Sequence, residues 1–172
     1  MIIRDEVPED IALIRTVVTE AFRTAPTRRG QAPEPDAGRV EANIVDRLRV
    51  AGALTLSLVA VEDGDELVGH VAFSPVLVDG KRGDWFGMGP VAVWPECQRR
   101  GVGSKLVRAG LERLHKEGGK GVVVLGDPAY YARFGFRAFE GLRYGDAPAA
   151  HFMALSFGSA VPLGIVTYHP AF

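Results

Sequence analysis

The chain has 172 residues, and its 20 lysines and arginines nearly balance its 21 aspartates and glutamates, leaving a formal net charge of −1. This balance excludes the broad positive field that attracts a nucleic acid backbone, so we expect no nucleic acid partner. No apolar run reaches the roughly 18 residues of a membrane span, and the single cysteine, Cys97, excludes an internal disulfide. We therefore expect a cytoplasmic protein with no membrane partner, folded as one domain over residues 1–172.

The first half of the chain predicts one strand, two helices and three further strands. Ile2 and Ile3 begin a short strand, and Pro8 opens the first helix, where its missing N–H costs little. The second helix ends before Gly52, and residues 24–36 between the helices lack an apolar period and predict a loop. Three strands, joined by turns typical of hairpins, are then predicted at 55–61, 66–78 and 84–93.

A basic turn with two glycines, residues 98–104, follows the last of these strands with the sequence Gln-Arg-Arg-Gly-Val-Gly-Ser. Apolar residues recur at helical spacing from Val102 to Leu114, so the end of the turn should form the first turn of a helix. A helix N-terminus offers about four N–H donors without helical partners and roughly half a positive charge, and both favour a phosphate. Glycine at 101 and 103 lets the backbone approach a diphosphate closely.

Two other phosphate-binding patterns do not describe this turn. A P-loop requires Gly-Lys-Ser/Thr, and the Rossmann fingerprint requires a third glycine and an acidic residue about twenty positions further on. A lone Gly-x-Gly also fits an ordinary helix entry, so the spacing of the neighbouring residues has to carry the interpretation.

The second half of the chain predicts the rest of a mixed sheet. Gly118 and Gly119 end the long helix, and residues 122–125 form an apolar strand covered on both faces. The remaining elements are a short helix at 128–134, a strand beginning at 136–139, the last strand of the main sheet at 151–157, and one more strand at 165–168 whose partner the sequence does not identify. Hairpins followed by a strand–helix–strand unit predict an α/β fold with helices on both faces.

Two motifs in this order resemble the GNAT superfamily of acyltransferases, which use acetyl-CoA. Residues 98–103 match its pyrophosphate motif, Gln/Arg-x-x-Gly-x-Gly/Ala, and residues 125–136, Leu-Gly-Asp-Pro-Ala-Tyr-Tyr-Ala-Arg-Phe-Gly-Phe, resemble its strand, short helix and Tyr-x-x-Leu/Phe-Gly-Phe element. The resemblance covers roughly residues 1–157. Residues 158–172 resemble a C-terminal extension found in a bacterial branch of small N-acetyltransferases.

The resemblance implies a central, mostly antiparallel sheet that splays open at a slot for the cofactor. Val91 and Val93 would bind the pantetheine amides through their backbone, and an N–H near Val91 or Ala92 would polarise the thioester carbonyl. The pyrophosphate would bind to Gln98, Arg99, Arg100, Gly101, Val102, Gly103 and Ser104.

Tyr131 lies four residues before Gly135, where the superfamily commonly places a tyrosine that donates a proton to the sulfur of CoA. A phenol is protonated at neutral pH and can perform this step. Tyr131 also fits a purely structural role as a packing aromatic on a short helix. We assign its neighbour Tyr130 to packing or to contact with the acceptor.

The general base is not identified by the sequence. Many family members have an asparagine where this chain has Asp127, which could cap the short helix or hold a water near the acceptor amine. His70 lies within a strand and could be either a core residue or a base. Glu96 is placed at the rim of the turn, and a chain of ordered waters would serve equally well.

The resemblance implies an acyl-CoA-dependent N-acyltransferase that moves acetyl from acetyl-CoA to a primary amine of a small molecule or peptide within a ternary complex. One alternative is a catalytically weak module that binds or senses acyl-CoA, and another is a different nucleotide-using enzyme. Arg28 and Arg29 could contact an acidic acceptor or remain solvated. The four histidines lack metal-ligand spacing, so we expect no metal site, and both a monomer and a homodimer remain open.

Overall fold

The computed structural model describes residues 1–23, 25 and 36–172. The elements in chain order are β1 (Ile2–Asp5), α1 (Ile11–Arg23), α2 (Ala37–Val50), β2 (Leu56–Glu62), β3 (Glu66–Val78), β4 (Lys81–Val93), α3 (Val102–Lys116), β5 (Gly121–Leu125), α4 (Pro128–Tyr131), β6 (Leu142–Arg143), β7 (Phe152–Ser156) and β8 (Gly164–Thr167). Short 3-10 turns lie at Pro8–Asp10, Pro95–Cys97, Ala132–Phe134 and Ala149–His151.

The strands form a mixed, mostly antiparallel sheet in the order β1-β2-β3-β4-β5-β7. Along this path only β4 and β5 run parallel, as expected for two strands joined by the long crossover helix α3. Strand β8 extends the sheet from the far end of β3 and also pairs with β6. The predicted fold class is confirmed.

Helices cover both faces of the sheet because the side chains of its strands alternate between them. Leu58 and Phe73 pack against α3, and a side chain at Gly110 of that helix would lie 2.3 Å from the Phe73 ring. Val59 and Ala92 pack instead against the apolar faces of α1 and α2. The sheet is thus a central layer covered by helices on both faces, and its strand ends position the site.

Strands β4 and β5 separate partway along their length. They pair at Trp85↔Gly121, Phe86↔Val122 and Gly87↔Val123, and no further pair follows along either strand. On its other side β4 carries a bulge, since Val71 faces Val91 whereas Phe73 faces Met88, so β4 has one more residue than β3 between these pairs. The expected splay of the sheet is therefore present, and it opens at Gly87.

Two local predictions are corrected by the structure. Residues 136–139 do not begin a strand; Arg137 makes a single bridge to Ala154, because Gly135 and Gly141 both take left-handed φ angles and leave little extended chain between them. Pro8 opens a 3-10 turn, and the α-helix begins only at Ile11.

Candidate active site

The first turn of α3 presents free backbone donors beside strand β4. The first hydrogen bond at this end runs from the Lys105 N–H to the Gly101 carbonyl at 3.0 Å, so the N–H groups of Val102, Gly103 and Ser104 precede it. Gly101 has a φ of 84°, a conformation that disfavours a side chain, whereas the buried Val102 anchors the helix in the core. This geometry suits a phosphate.

A cavity of about 550 Å³, here called the α3 cavity, lies against this helix end. Most of the predicted cofactor-binding residues line it: Val91, Val93, Gln98, Arg99, Gly101, Gly103 and Ser104. The Gln98 amide donates to the Val93 carbonyl at 3.1 Å, which ties the glycine-rich turn to the end of β4. The turn and the strand thus form one continuous wall.

Three of the predicted cofactor-binding residues do not line the α3 cavity. The side chains of Ala92 and Val102 are buried in the core, so only their main-chain groups could contact a ligand. Arg100 turns away, with its guanidinium 3.6 Å from the Glu62 carboxylate and 3.8 Å from the Cys97 sulfur. Burial, the largest cause, raises the pKa of the Cys97 thiol, which disfavours its nucleophilic thiolate.

Arg133 also lines the α3 cavity, although sequence reasoning did not assign it a role. Its Nε donates to the Tyr130 carbonyl at 2.9 Å, and its guanidinium lies 4.5 Å from the centroid of the Tyr130 ring. These contacts hold the Arg133 guanidinium beside the glycine-rich turn, although Arg133 lies far from that turn in the sequence. The only sequence signal for such a role was that Arg133 lies within the second motif, residues 125–136.

A second cavity of about 510 Å³, here called the aromatic cavity, opens where β4 and β5 separate. Its lining comes from the strand ends, from α1 and α2, from α4 and from the C-terminal segment: Phe22, Glu41, Ile44, Met88, Gly89, Pro90, Val91, Val124, Leu125, Gly126, Asp127, Tyr130, Tyr131, Tyr144, Tyr168 and Phe172. The two cavities share Phe22, Val91, Tyr130 and Tyr131. They therefore adjoin at β4 and α4.

Tyr131 stands at this junction and is positioned by close packing. A side chain at Gly126 would lie 2.4 Å from the Tyr131 ring, so glycine is required there, and Phe136 packs edge-on against the same ring at 5.9 Å. Tyr130 points toward the helix end, since a Cβ on Gly103 would lie 3.1 Å from its hydroxyl oxygen. The two tyrosines thus wall both cavities from adjacent positions.

Asp127 caps α4 and also lines the aromatic cavity. Its Oδ1 accepts a hydrogen bond from the Ala129 N–H at 3.0 Å, which is the capping role that the sequence offered as one alternative. The cap fixes the carboxylate at the start of the helix that carries Tyr131. The Asp127 side chain therefore both caps α4 and faces the aromatic cavity.

His70, in β3, lines neither cavity. Its buried side chain belongs to a polar network instead. Its Nε2 is 2.8 Å from the Ser57 hydroxyl, which bonds to the Glu6 carboxylate, and Arg49 in turn donates to Glu6 at 2.8 and 2.9 Å. Since Ser57 donates to Glu6, His70 Nε2 carries the proton and donates to Ser57. Burial lowers the pKa of His70 to about 4. These contacts support a structural role.

Several other predictions concern residues that are not among the described lining of the two cavities. Glu96 lines neither of them, and Arg28 and Arg29 lie outside the described residues. Within residues 1–23, 25 and 36–172, no cluster of three potential metal ligands occurs. No helix in that part of the chain is both long and apolar enough to span a membrane.

A sheet that splays beside a helix end suited to a phosphate is typical of the class of acyltransferases that use an acyl-CoA. The chain belongs to the GNAT family within this class, because the family model described as "Acetyltransferase (GNAT) domain" matches residues 4–139. The family explains why the glycine-rich turn, the bulged strand and the tyrosine helix occur together.

Similar proteins agree with this assignment. The uncharacterized N-acetyltransferase YhbS of Escherichia coli K12 is 43% identical over 136 residues, which are 79% of this chain and 73% of that protein. A GNAT family acetyltransferase from Brucella melitensis, solved in complex with acetyl-CoA, is 45% identical with a TM-score of 0.83, covering 99% of this chain and 96% of that one. E. coli YhbS, solved with CoA, has a TM-score of 0.86 at 35% identity, covering 99% and 90%. The chain is an acetyltransferase.

Proposed function

We propose that the protein transfers acetyl from acetyl-CoA to a primary amine by direct attack within a ternary complex. The observation that carries this proposal is the junction of two cavities at Tyr131. The donor occupies the α3 cavity, and the acceptor enters through the aromatic cavity. The nitrogen then reaches the thioester between Val91 and Tyr131.

The α3 cavity would hold the donor mainly through its backbone. The N–H groups of Gly101 to Ser104 bind the pyrophosphate, and Arg99 adds positive charge at the rim. Val91 and Val93 bond the pantetheine amides, which is possible because β4 no longer pairs with β5 beyond Gly87. The complexes of the Brucella protein with acetyl-CoA and of YhbS with CoA support acetyl-CoA as the donor.

Transfer forms one C–N bond and breaks one C–S bond. An N–H near Val91 or Ala92 stabilises the negative charge that develops on the carbonyl oxygen, an interaction worth ~3 kcal/mol in enzymes studied by mutation. Tyr131 donates its hydroxyl proton to the departing thiolate. The acceptor ammonium loses two protons. The first leaves through water before the attack, and the second, released from the nitrogen as the amide forms, restores the tyrosine through solvent.

Asp127 is the carboxylate that we propose for handling the proton of the acceptor. It lines the aromatic cavity at the start of the helix that carries Tyr131, and a water between Asp127 and the amine would complete the path. His70 is excluded from this role by its position outside both cavities.

We further propose that residues 1–172 act as one domain, with 158–172 as an extension.

The first test compares the thermal melting of the protein with acetyl-CoA, CoA, ATP and NAD. A ligand at a hundred times its Kd adds ~2.7 kcal/mol to the free energy of unfolding, so acetyl-CoA and CoA should raise Tm whereas ATP and NAD should not. Release of the CoA thiol with a panel of amines then measures acetyl transfer. For a ternary complex, double-reciprocal plots of the initial rates should give intersecting lines. A Tm shift with ATP or NAD alone would contradict the proposal.

A further inference from the structure

One wall of the aromatic cavity consists of three aromatic side chains. Tyr144, Tyr168 and Phe172 all line it, with ring centroids 4.8 Å apart for the first pair and 4.9 Å apart for the second. All three residues follow residue 139, where the match to the GNAT domain ends. The wall is therefore built by the C-terminal part of this chain, and it is a candidate determinant of which acceptor enters.

Strand β8 holds this wall at the point where the sheet opens. It pairs with β3 at Leu77↔Thr167 and Val78↔Val166, which places Tyr168 immediately after the last paired residue. A side chain at Gly87 would lie 2.3 Å from the Tyr168 ring, so the ring packs directly on the last residue of β4 that pairs with β5. The aromatic wall thus begins where the splay begins.

The described residues that line the aromatic cavity carry charge of one sign. Its lining includes the carboxylates of Glu41 and Asp127, and among its described lining residues there is no lysine, arginine or histidine. The Asp127 carboxylate would repel a carboxylate or phosphate on the acceptor, whereas an ammonium would be attracted both by Asp127 and by the faces of the aromatic rings. A volume of about 510 Å³ falls in the range of small-molecule sites.

We propose that the acceptor is a small primary amine with a flat apolar body and without a carboxylate beside its nitrogen. The body lies against Tyr144, Tyr168 and Phe172, and the ammonium lies near Asp127 until it loses a proton. The amine then attacks the thioester, forming the amide and releasing the CoA thiol. This inference rests on the proposed function, since it names the substrate class of the same site.

Three probe amines separate the features of this acceptor. Phenethylamine carries a ring and no carboxylate, ethanolamine carries no ring, and phenylalanine carries the same ring with a carboxylate beside the nitrogen. We expect phenethylamine to raise the Tm of the CoA-saturated protein more than the other two. In the thiol-release assay we expect its kcat/KM to exceed theirs by about tenfold or more, the ratio that ~1.4 kcal/mol of selective binding produces.

Phe172→Ser tests the wall, because Phe172 is 42% exposed and its loss should leave the core intact. We expect the ratio of kcat/KM for phenethylamine to that for ethylamine to fall about tenfold, with unchanged affinity for acetyl-CoA. Leu163→Ser is the matched control, since Leu163 lies in the same segment, is 70% exposed and does not line the cavity. This control should keep the wild-type ratio.

Asp127→Asn tests the carboxylates, because asparagine still caps a helix. It should raise KM for phenethylamine severalfold and, because asparagine cannot accept the proton of the acceptor, also lower kcat. Asp146→Asn, at an exposed carboxylate outside the cavity, is the control. Preference for ethanolamine, phenylalanine or a lysine peptide, or an unchanged ratio in Phe172→Ser, would overturn the inference while leaving acetyl transfer intact. Absence of any Tm shift with acetyl-CoA would instead overturn the proposed function, and this inference with it.

Discussion

The α3 cavity and the aromatic cavity adjoin, yet they are built in different ways. The first draws most of its lining from one stretch of chain, residues 91–104, together with α4, and its lining cations are Arg99 and Arg133. The second gathers residues from α1, α2, the two splayed strands and the C-terminal segment, and the charged groups among its described lining residues are Glu41 and Asp127. A local backbone motif thus suits an anionic cofactor, whereas tertiary packing creates a site for a cation.

The largest effect should come from closing the α3 cavity alone. Gly103→Trp would place an indole against Val93 and the Tyr130 hydroxyl, which lie 3.5 and 3.1 Å from the position of a Cβ. Because the ring fills the space of the pyrophosphate, we expect the Kd for CoA to rise by roughly 100-fold or more, measured by titration calorimetry. Far-UV circular dichroism should stay native, and Glu112→Trp on the exposed side of α3 should bind CoA normally. Retained affinity in Gly103→Trp would contradict the assignment of this cavity.

Tyr131→Phe tests the boundary between the two cavities. Removing a general acid typically costs about 100-fold or more, so kcat should fall by roughly that factor while the Kd for acetyl-CoA stays nearly constant. Tyr130→Phe is the matched control, because it removes the neighbouring hydroxyl from the same short helix and should retain most of the kcat. Thiol release measures the rate. If wild type and Tyr131→Phe release thiol at equal rates, Tyr131 takes no part in the mechanism.

A third prediction concerns the stability of the scaffold, through His70, which lies outside both cavities. His70 has a pKa of about 4 when folded, below its ordinary value of 6.5, mainly because burial disfavours its charged form. Between these values the unfolded chain binds a proton that the folded chain does not, so the free energy of unfolding should fall by about 1.4 kcal/mol per pH unit as pH drops from 6.5 toward 4.

Urea unfolding at pH 7, 6 and 5 measures this slope above the range in which Glu6 titrates. Burial raises the pKa of Glu6, but its hydrogen bonds to Arg49 and Ser57 outweigh burial and hold that pKa below 4.5. His70→Gln should flatten the slope, and His151→Gln should retain it. An undiminished slope in His70→Gln would show that other groups cause the acid sensitivity.

The smallest effect should come from the cation at the rim of the α3 cavity. Arg133→Gln removes a charge that is exposed and screened, so we expect the Kd for CoA to rise about three- to tenfold at low salt and less at high salt. Arg137→Gln is the matched control, since Arg137 is also exposed and stacks on an aromatic ring but does not line the cavity. Identical affinities for the two variants would exclude Arg133 from cofactor binding.

Sequence reasoning was most successful where function depends on contiguous backbone. The glycine-rich turn, the start of α3 and the strand before it were predicted because positive φ angles, free N–H groups and apolar periods are local properties of the chain. It was least successful at side-chain direction: Arg99 and Arg100 are neighbours with equal charge, but Arg99 lines the cavity and Arg100 contacts Glu62. His70 similarly fitted both a base and a core residue until its contacts were known.

The sequence by itself determined the fold class, the family and the position of the helix end that suits a phosphate, because these features are encoded in short patterns of glycine, charge and apolar spacing. Only the tertiary structure brought Phe22, Glu41 and Tyr144 beside Tyr168 and Phe172. These residues are separated by up to 150 positions and belong to elements that meet only after the sheet has formed and β8 has paired with β3. Their approach depends on packing between distant elements, which no local pattern in the chain records.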